Sequence, residues 1–265
     1  MNQLIIIIAI IVFCGISLSC SSSEKKQQEI TEIADIGSNA SNANKDASEL
    51  LGKYVKISPG EYLMGSDTGS GDEKPRHKVA ISREFEMGET EITQAQWEAV
   101  TGHNPSNFKG ANLPVENVSW SDVQAFIKKV NEKSKKYLYR LSTEAEWEYA
   151  CRAGSTGDYA GDLDAMAWYR SNSSDKTHPV GQKQANAWGL YDMHGNVYEW
   201  CSDWYGSYVS APVTDPSGAA SGTYHVFRGG SWYYAANSCR SSLRYSGTPD
   251  FIGSYVGFRL VRNSR

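Results

Sequence analysis

"NAWGLYDMHGNVYEW", residues 186–200, is the stretch on which the reading of this chain turns. Asp192 and Glu199 bracket Gly195-Asn196, a pair suited to a tight turn with positive φ. Two carboxylates and turned-out carbonyls held by such a loop suit a hard cation such as Ca²⁺, which takes oxygen ligands. A plain turn buttressed by Trp200 and Trp204 is the alternative, and spacing alone leaves the two open.

Upstream of this loop the sequence reads as ordered elements. "YVKISPGEYLMGS" (54–66) alternates apolar and polar residues around Pro59-Gly60 and predicts a hairpin, and "HKVAIS" (77–82) predicts a further strand. Three capping signatures follow: Thr93 with Gln96, Ser119 with Asp122, and Thr143 with Glu146. They open the helices "QAQWEAVTG", which should stop at Gly102, "SDVQAFIKKVNEKSKK" and "TEAEWEYACRAG". The second places Val123, Phe126, Ile127 and Val130 on one stripe, so it should pack one face on a core. After Gly154 the periodicity fades, and "HVFRGGSW" (225–232) and "YVGFRLV" (255–261) read as late strands. Helices first and strands later imply an α+β fold rather than alternating βαβ units. So long an irregular stretch asks for some other staple, a metal or a system of functional loops.

The formal net charge of −4 argues against nucleic-acid partners, which need clustered basic surface. Sixteen tyrosines and eight tryptophans instead point to aromatic cores or a recognition surface. At the N-terminus "LIIIIAIIVFCGISLSC" (4–20) is an apolar run too short for a spanning helix, which takes about 20 residues. It reads as a secretory signal over residues 1–19, and Ser19-Cys20 resembles the processing site of bacterial lipoproteins, with Cys20 as the acylated residue. An ordinary cleaved signal is the alternative. Residues 20–50, rich in Ser, Asn, Gln and charge and lacking aromatics, read as a flexible tether, with a short amphipathic helix allowed around Glu29–Ile36. The folded domain is expected over residues 51–265.

Enzymatic signatures are sparse. No zinc-binding histidine pair, nucleophile elbow, phosphate loop or dinucleotide fingerprint occurs. Once Cys14 and Cys20 are set aside, Cys151, Cys201 and Cys239 remain, so at most one intramolecular disulfide is expected, one thiol being left over. An exported domain favours such a bond.

"RLSTEAEWEYACRAG", "NAWGLYDMHGNVYEW", "FRGGSW", "TPD" and "GFRLV", in this order over residues 54–262, resemble the formylglycine-generating enzyme family, also called sulfatase-modifying factor proteins. The resemblance implies a variant of the C-type lectin fold with long loops and bound calcium. It maps one structural Ca²⁺ site onto the side chains of Asp192 and Glu199 and the carbonyls of Gly195 and Val197. A second family calcium site does not carry over to "MAWYRSNSSD" (166–175). Enzymatic members oxidise a sulfatase cysteine to formylglycine with oxygen and copper held by a pair of thiolates soon after the Gly-Gly-Ser turn. Here that stretch is "WYYAANSCRSS" (232–242), with one cysteine, so no copper is expected and Cys239 reads as framework.

The same C-terminal segment resembles the variable region of diversity-generating retroelement proteins, and with the lipoprotein-like N-terminus the chain is similar to the variable lipoproteins of Treponema. By that resemblance the ligand-binding residues are Trp232, Tyr233, Tyr234, Ala235, Asn237, Ser238, Tyr245, Ser246, Phe251, Ile252, Ser254 and Tyr255. Tyr with Ser, Gly and Asn is also a paratope-like composition of rigid aromatic anchors and adaptable small polar groups. On an extended segment the adjacent Tyr233 and Tyr234 cannot both point inward. Arg228, Arg240, Arg244 and Arg259 are expected to hydrogen-bond the loops. The resulting expectation is a non-catalytic, lipid-anchored protein on the bacterial cell surface that binds an extracellular ligand, most simply a protein. The rivals are a formylglycine-type oxidoreductase acting on a protein cysteine and a structural envelope lipoprotein with buried tyrosines.

Overall fold

The computed structural model describes residues 50–265. The expected signal, Cys20, the helix expected around Glu29–Ile36 and all but the last residue of the expected tether therefore lie outside the described residues. All three capping boxes close as their sequences require. Thr93, Ser119 and Thr143 accept from the backbone N–H three residues on, and Gln96, Asp122 and Glu146 return the bond. They start α1 (Gln94–Thr101), α2 (Trp120–Lys133) and α3 (Glu144–Arg152). Helix α1 ends at Gly102 in the left-handed region, φ 85°. A fourth helix, α4 (Leu163–Met166), is a single turn. Among the described residues no helix is long and apolar enough to cross a membrane.

The stripe on α2 is buried as expected. Phe126 stacks on Trp97 of α1 at 5.0 Å and meets Phe258 edge-on at 5.5 Å. Burying such a side chain contributes about 1.5–3 kcal/mol, so this stripe seats α1 and α2 on the rest of the domain.

Among the described residues three small sheets complete the fold. In the first, β1 (Tyr54–Ile57), β4 (Phe85–Gly88), β11 (Val261–Ser264) and β5 (Tyr137–Arg140) run antiparallel in that order. The second is β2 (Gly60–Met64), β3 (His77–Ile81) and β7 (Val213–Thr214). The third carries β10 (Val256–Gly257), β6 (Tyr198–Trp204), β8 (His225–Arg228) and β9 (Tyr245–Gly247), with β10 parallel to β6.

Two local expectations are corrected. Residues 54–66 form no hairpin: β1 pairs with β4 and β2 with β3, so Pro59-Gly60 is a crossover between sheets. Two short amphipathic strands carry the same alternation whichever partner they find. Cys151, Cys201 and Cys239 are all buried and free, so the exported-domain disulfide is absent. Strand β6 also lies within the stretch that shows no periodicity, because five of its seven residues are buried, on both faces of the strand, and only Ser202 and Trp204 are half-exposed.

Candidate functional site

The loops between β8 and β11 are bound to the core by arginines. Helix α3 places Glu144 and Glu148 one turn apart on one buried stripe, with Arg152 a turn further. Arg228, at the end of β8, enters this stripe. It donates to Glu148, to Glu144 Oε1 at 3.2 Å, and to the carbonyls of Ser241 and Ser242 at 2.7 and 3.0 Å. Arg244 grips both oxygens of Glu144 at 2.6 and 2.7 Å and also donates to the carbonyls of Asp72 and Gly206. Arg240 forks onto Glu73 at 2.7 and 2.6 Å, while its Nε donates to the Asn237 carbonyl. Fixed-geometry guanidinium forks suit this task, since each satisfies carboxylate and loop carbonyls together.

Between these anchors the chain turns at Gly229-Gly230, φ 102° and 79°. A Cβ on Gly230 would lie 2.5 Å from Cys239 Sγ, so only glycine admits the close approach. Cys239 is fully buried, and burial pushes its thiol up to about 12. Its carbonyl accepts from His194 Nδ1 at 2.8 Å, while His194 Nε2 accepts from the Ala160 N–H at 3.0 Å. That pair of bonds fixes the tautomer, and burial lowers His194 to about 4, keeping the ring neutral.

The surface above is aromatic. Tyr233 and Tyr245 are 47% and 46% exposed and Ile252 is 58% exposed, while Tyr234, Phe251 and Tyr255 are half-buried. Their rings form one continuous cluster. Tyr233 stacks on Tyr255 at 6.1 Å, Tyr255 meets Tyr234 at 5.4 Å and Phe251 at 6.2 Å, and Tyr234 meets Tyr245 at 6.1 Å. Underneath lie the buried rings of Tyr198, 5.5 Å from Tyr234, and Phe227, stacked on Tyr245 at 5.4 Å. The exposed rings are therefore footed on a packed aromatic layer contributed by β6 and β8.

Ala235 and Asn237 are exposed, and Ser238, Ser246 and Ser254 are half-buried, around the same cluster of loops. Trp232 is a correction to the expected contact set. It is only 7% exposed, packs edge-on against Phe108 at 5.2 Å, and donates from Nε1 to the Ser254 carbonyl at 2.8 Å. Its role is to tie the two loops together. The alternation argument for Tyr233 and Tyr234 also gives way, since residues 232–234 form a turn leading into a 3₁₀ segment, Ala236–Cys239. Sequence reasoning missed Arg170, whose Nε donates to the Tyr233 carbonyl at 2.8 Å and whose guanidinium lies 5.2 Å from the Tyr233 ring centre. It sits in a segment with no periodicity, so nothing local marked it.

The expected calcium residues surround a buried turn in which Asp192 and Asn196 take φ 58° and Gly195 takes 116°. Asp192 Oδ2 accepts from the Gly181 N–H at 2.7 Å, and its Oδ1 is buried without a partner. Both Glu199 oxygens accept from Arg259 at 2.6 Å, and Oε2 also accepts from the Trp147 indole at 2.8 Å. A third buried carboxylate, Glu91, was not foreseen; it accepts from Val197 N and Asn196 Nδ2 at 3.0 and 2.7 Å. Burial, then the charges of Asp192 and Glu199, push Glu91 well above the usual carboxylate range. Burial likewise raises Asp192 to about 6, against the pull of Gly181 N–H and Arg259. Among the described residues no three His, Cys, Asp or Glu side chains converge as metal ligands. A cation here would therefore draw on carbonyls and share Glu199 with Arg259. The orphaned Asp192 oxygen, and the buried negative charge that Asp192 and Glu199 place beside Glu91, fit a hard cation in charge and donor chemistry.

Comparison with known proteins places this architecture. The model of the sulfatase-modifying factor enzyme 1-like domain matches residues 39–264. Chaperone protein LppX of Paenibacillus barcinonensis is 32% identical, with 88% of this chain and 96% of that protein covered. The formylglycine-generating enzyme of Streptomyces coelicolor is 30% identical, covering 79% of this chain and 89% of the enzyme. Among solved structures, Treponema denticola variable protein 1 superposes with a TM-score of 0.74 at 33% identity, over 78% of this chain and 94% of that one. PvdO from Pseudomonas aeruginosa gives a TM-score of 0.74 at 28% identity, over 82% and 97% of the two chains. This chain belongs to the family of sulfatase-modifying factor enzyme 1-like domains, which here takes a C-type lectin-like fold.

Proposed function

We propose that this protein is a non-catalytic binding protein of the bacterial cell envelope, anchored by lipid at Cys20, that captures an extracellular protein on its C-terminal aromatic face. The observation that carries the reading is the exposed ring cluster of Tyr233, Tyr245 and their neighbours, mounted on loops held by buried arginines. Large, rigid rings contribute contact area at low entropic cost, and Asn237 and Ser238 add adaptable polar contacts. The likeness to a Treponema denticola variable protein supports exchange of residues on this face. A relative bearing the name LppX supports the lipoprotein assignment.

The chain's own thiols favour binding over oxidation. Cys239 is the sole cysteine between Arg228 and Arg259, and its buried thiol, pushed up to about 12, holds its proton at neutral pH. A structural Ca²⁺ at Asp192, Glu199 and the carbonyls of Gly195 and Val197 would neutralise the buried carboxylates and brace the turn beneath β6.

Sibling copies of the chain from related genomes provide the test. Substitutions should concentrate at Tyr233–Ser238, Tyr245–Ser246 and Phe251–Tyr255 while Arg228, Cys239, Arg240, Arg244 and Arg259 stay fixed. Substitutions spread evenly over the surface would remove the basis for an exchangeable face. Production of an aldehyde from a sulfatase-type cysteine peptide in the presence of copper would instead favour the oxidoreductase.

A further inference from the structure

A cleft far from the aromatic face in the sequence opens between β2, β3, the C-terminal end of α3 and Trp188. Its volume is about 440 Å³, within the range of roughly 300–1,000 Å³ usual for small-molecule sites. We propose that it is a second binding site, for a small amphipathic carboxylate with an aromatic body, as in an arylalkyl acid.

The apolar half of the site is a ladder of rings, with Tyr62 5.3 Å from Tyr149 and Tyr149 4.8 Å from Trp188. Both tyrosine hydroxyls are already engaged, with the Ala145 carbonyl at 2.8 Å and the Ser58 carbonyl at 3.3 Å. What the tyrosines have left to offer a ligand is ring surface. Leu63, also lining the cleft, is 46% exposed.

The charged half is decided by which groups are already paired. Glu61 is bound to Lys78 at 2.7 Å. Arg152 is engaged by Glu148 and by the carbonyls of Gly65 and Gly157. Arg76 differs. The residue is half-buried and its backbone N–H reaches Asp67 at 3.4 Å, but its guanidinium has no hydrogen bond or ion pair among the described residues. A free planar fork beside a ring ladder matches a carboxylate attached to a flat apolar body.

The end of a helix is ordinarily hostile to an anion because its last carbonyls are unpaired. At α3 those carbonyls are occupied. Tyr149 O accepts from Ala153 N, Arg152 O from Ser155 N, and Ala150 O and Cys151 O from Asn186 Nδ2. The negative end is thereby muted, and Arg76 sets the sign of the cleft.

The test is an NMR titration of the protein with 3-phenylpropanoate and with its neutral amide, read at the Trp188 indole N–H, which is assigned by its loss in Trp188→Phe. The carboxylate should shift that resonance saturably, and Arg76→Gln should weaken the carboxylate about tenfold or more while leaving the amide's affinity unchanged. The melting temperature of Arg76→Gln should match wild type, because its side chain holds nothing in the fold. Equal affinity for acid and amide, an Arg76→Gln variant that binds the acid normally, or no shift at millimolar acid would each overturn the proposal.

Discussion

Within residues 228–259 two populations of side chain alternate, and they differ in almost every physical respect. Arg228, Arg244 and Arg259 are buried, each bound to carboxylates and loop carbonyls at once. Tyr233, Tyr245 and Ile252 are exposed, and among the described residues neither tyrosine hydroxyl is hydrogen-bonded to the frame beneath it. The contrast teaches that the loops owe their shape to the first population and their chemistry to the second. A residue such as Tyr245 therefore adjoins Arg244, a principal strut, without itself bearing the strut's load.

The sharpest way to break this contrast is Arg228→Ala. It leaves Glu148 Oε2 without a partner in the core, Arg152 holding only Oε1, and leaves the Ser241 and Ser242 carbonyls unpaired, so urea denaturation should show a loss of about 3–5 kcal/mol. A loss below about 1 kcal/mol would mean that the loops are held by something else. Next comes Gly230→Ala. Its positive φ and the 2.5 Å approach to Cys239 Sγ predict a loss of about 1–3 kcal/mol in the same measurement.

The third prediction concerns Asp203, which sits behind the arginine network and donates nothing to the surface. Burial first, then the charge of Glu144, raises it from the ordinary 3.8 to about 7, against the pull of Ser202 Oγ and Glu144 N–H. Between those values the folded state keeps a proton that the unfolded state has released, so this group's contribution to stability falls as pH rises. Asp203→Asn removes that slope. Thermal melts should show its stability relative to wild type improving steadily from about pH 4 to about pH 7. The smallest expected effect is on the other side of the contrast: Tyr233→Ser and Tyr245→Ser should each cost about 1 kcal/mol or less, the ring stacking they lose. The same pair should abolish capture of a ligand selected on the wild-type face, read by surface plasmon resonance.

Much of this division is legible in the sequence because it is written in residues with few alternatives. Thr93, Ser119 and Thr143 announce their helices through bonds closed within four residues, so no tertiary knowledge is needed. Four arginines in an irregular region must meet carboxylates or carbonyls, and all four do. What stays hidden depends on distant partners. Trp232 looks like its tyrosine neighbours until Phe108 and Ser254 close over it. Pro59-Gly60 suggests a hairpin until Phe85–Gly88 supplies β1 with another partner. Glu91 lies 101 positions before Asp192 in the chain, and only folding shows that they share a charge environment.

The layered stacking of the rings has an outcome for any exchange of residues at the tip. Removing Tyr233 bares more of Tyr234 and Tyr255, and removing Tyr245 bares Phe227 and Tyr198. Each replacement thus sheds one contact and unveils another of the same kind. Such a face keeps a baseline stickiness through successive changes of outline, so novelty in what it grips need not pass through a form that grips nothing.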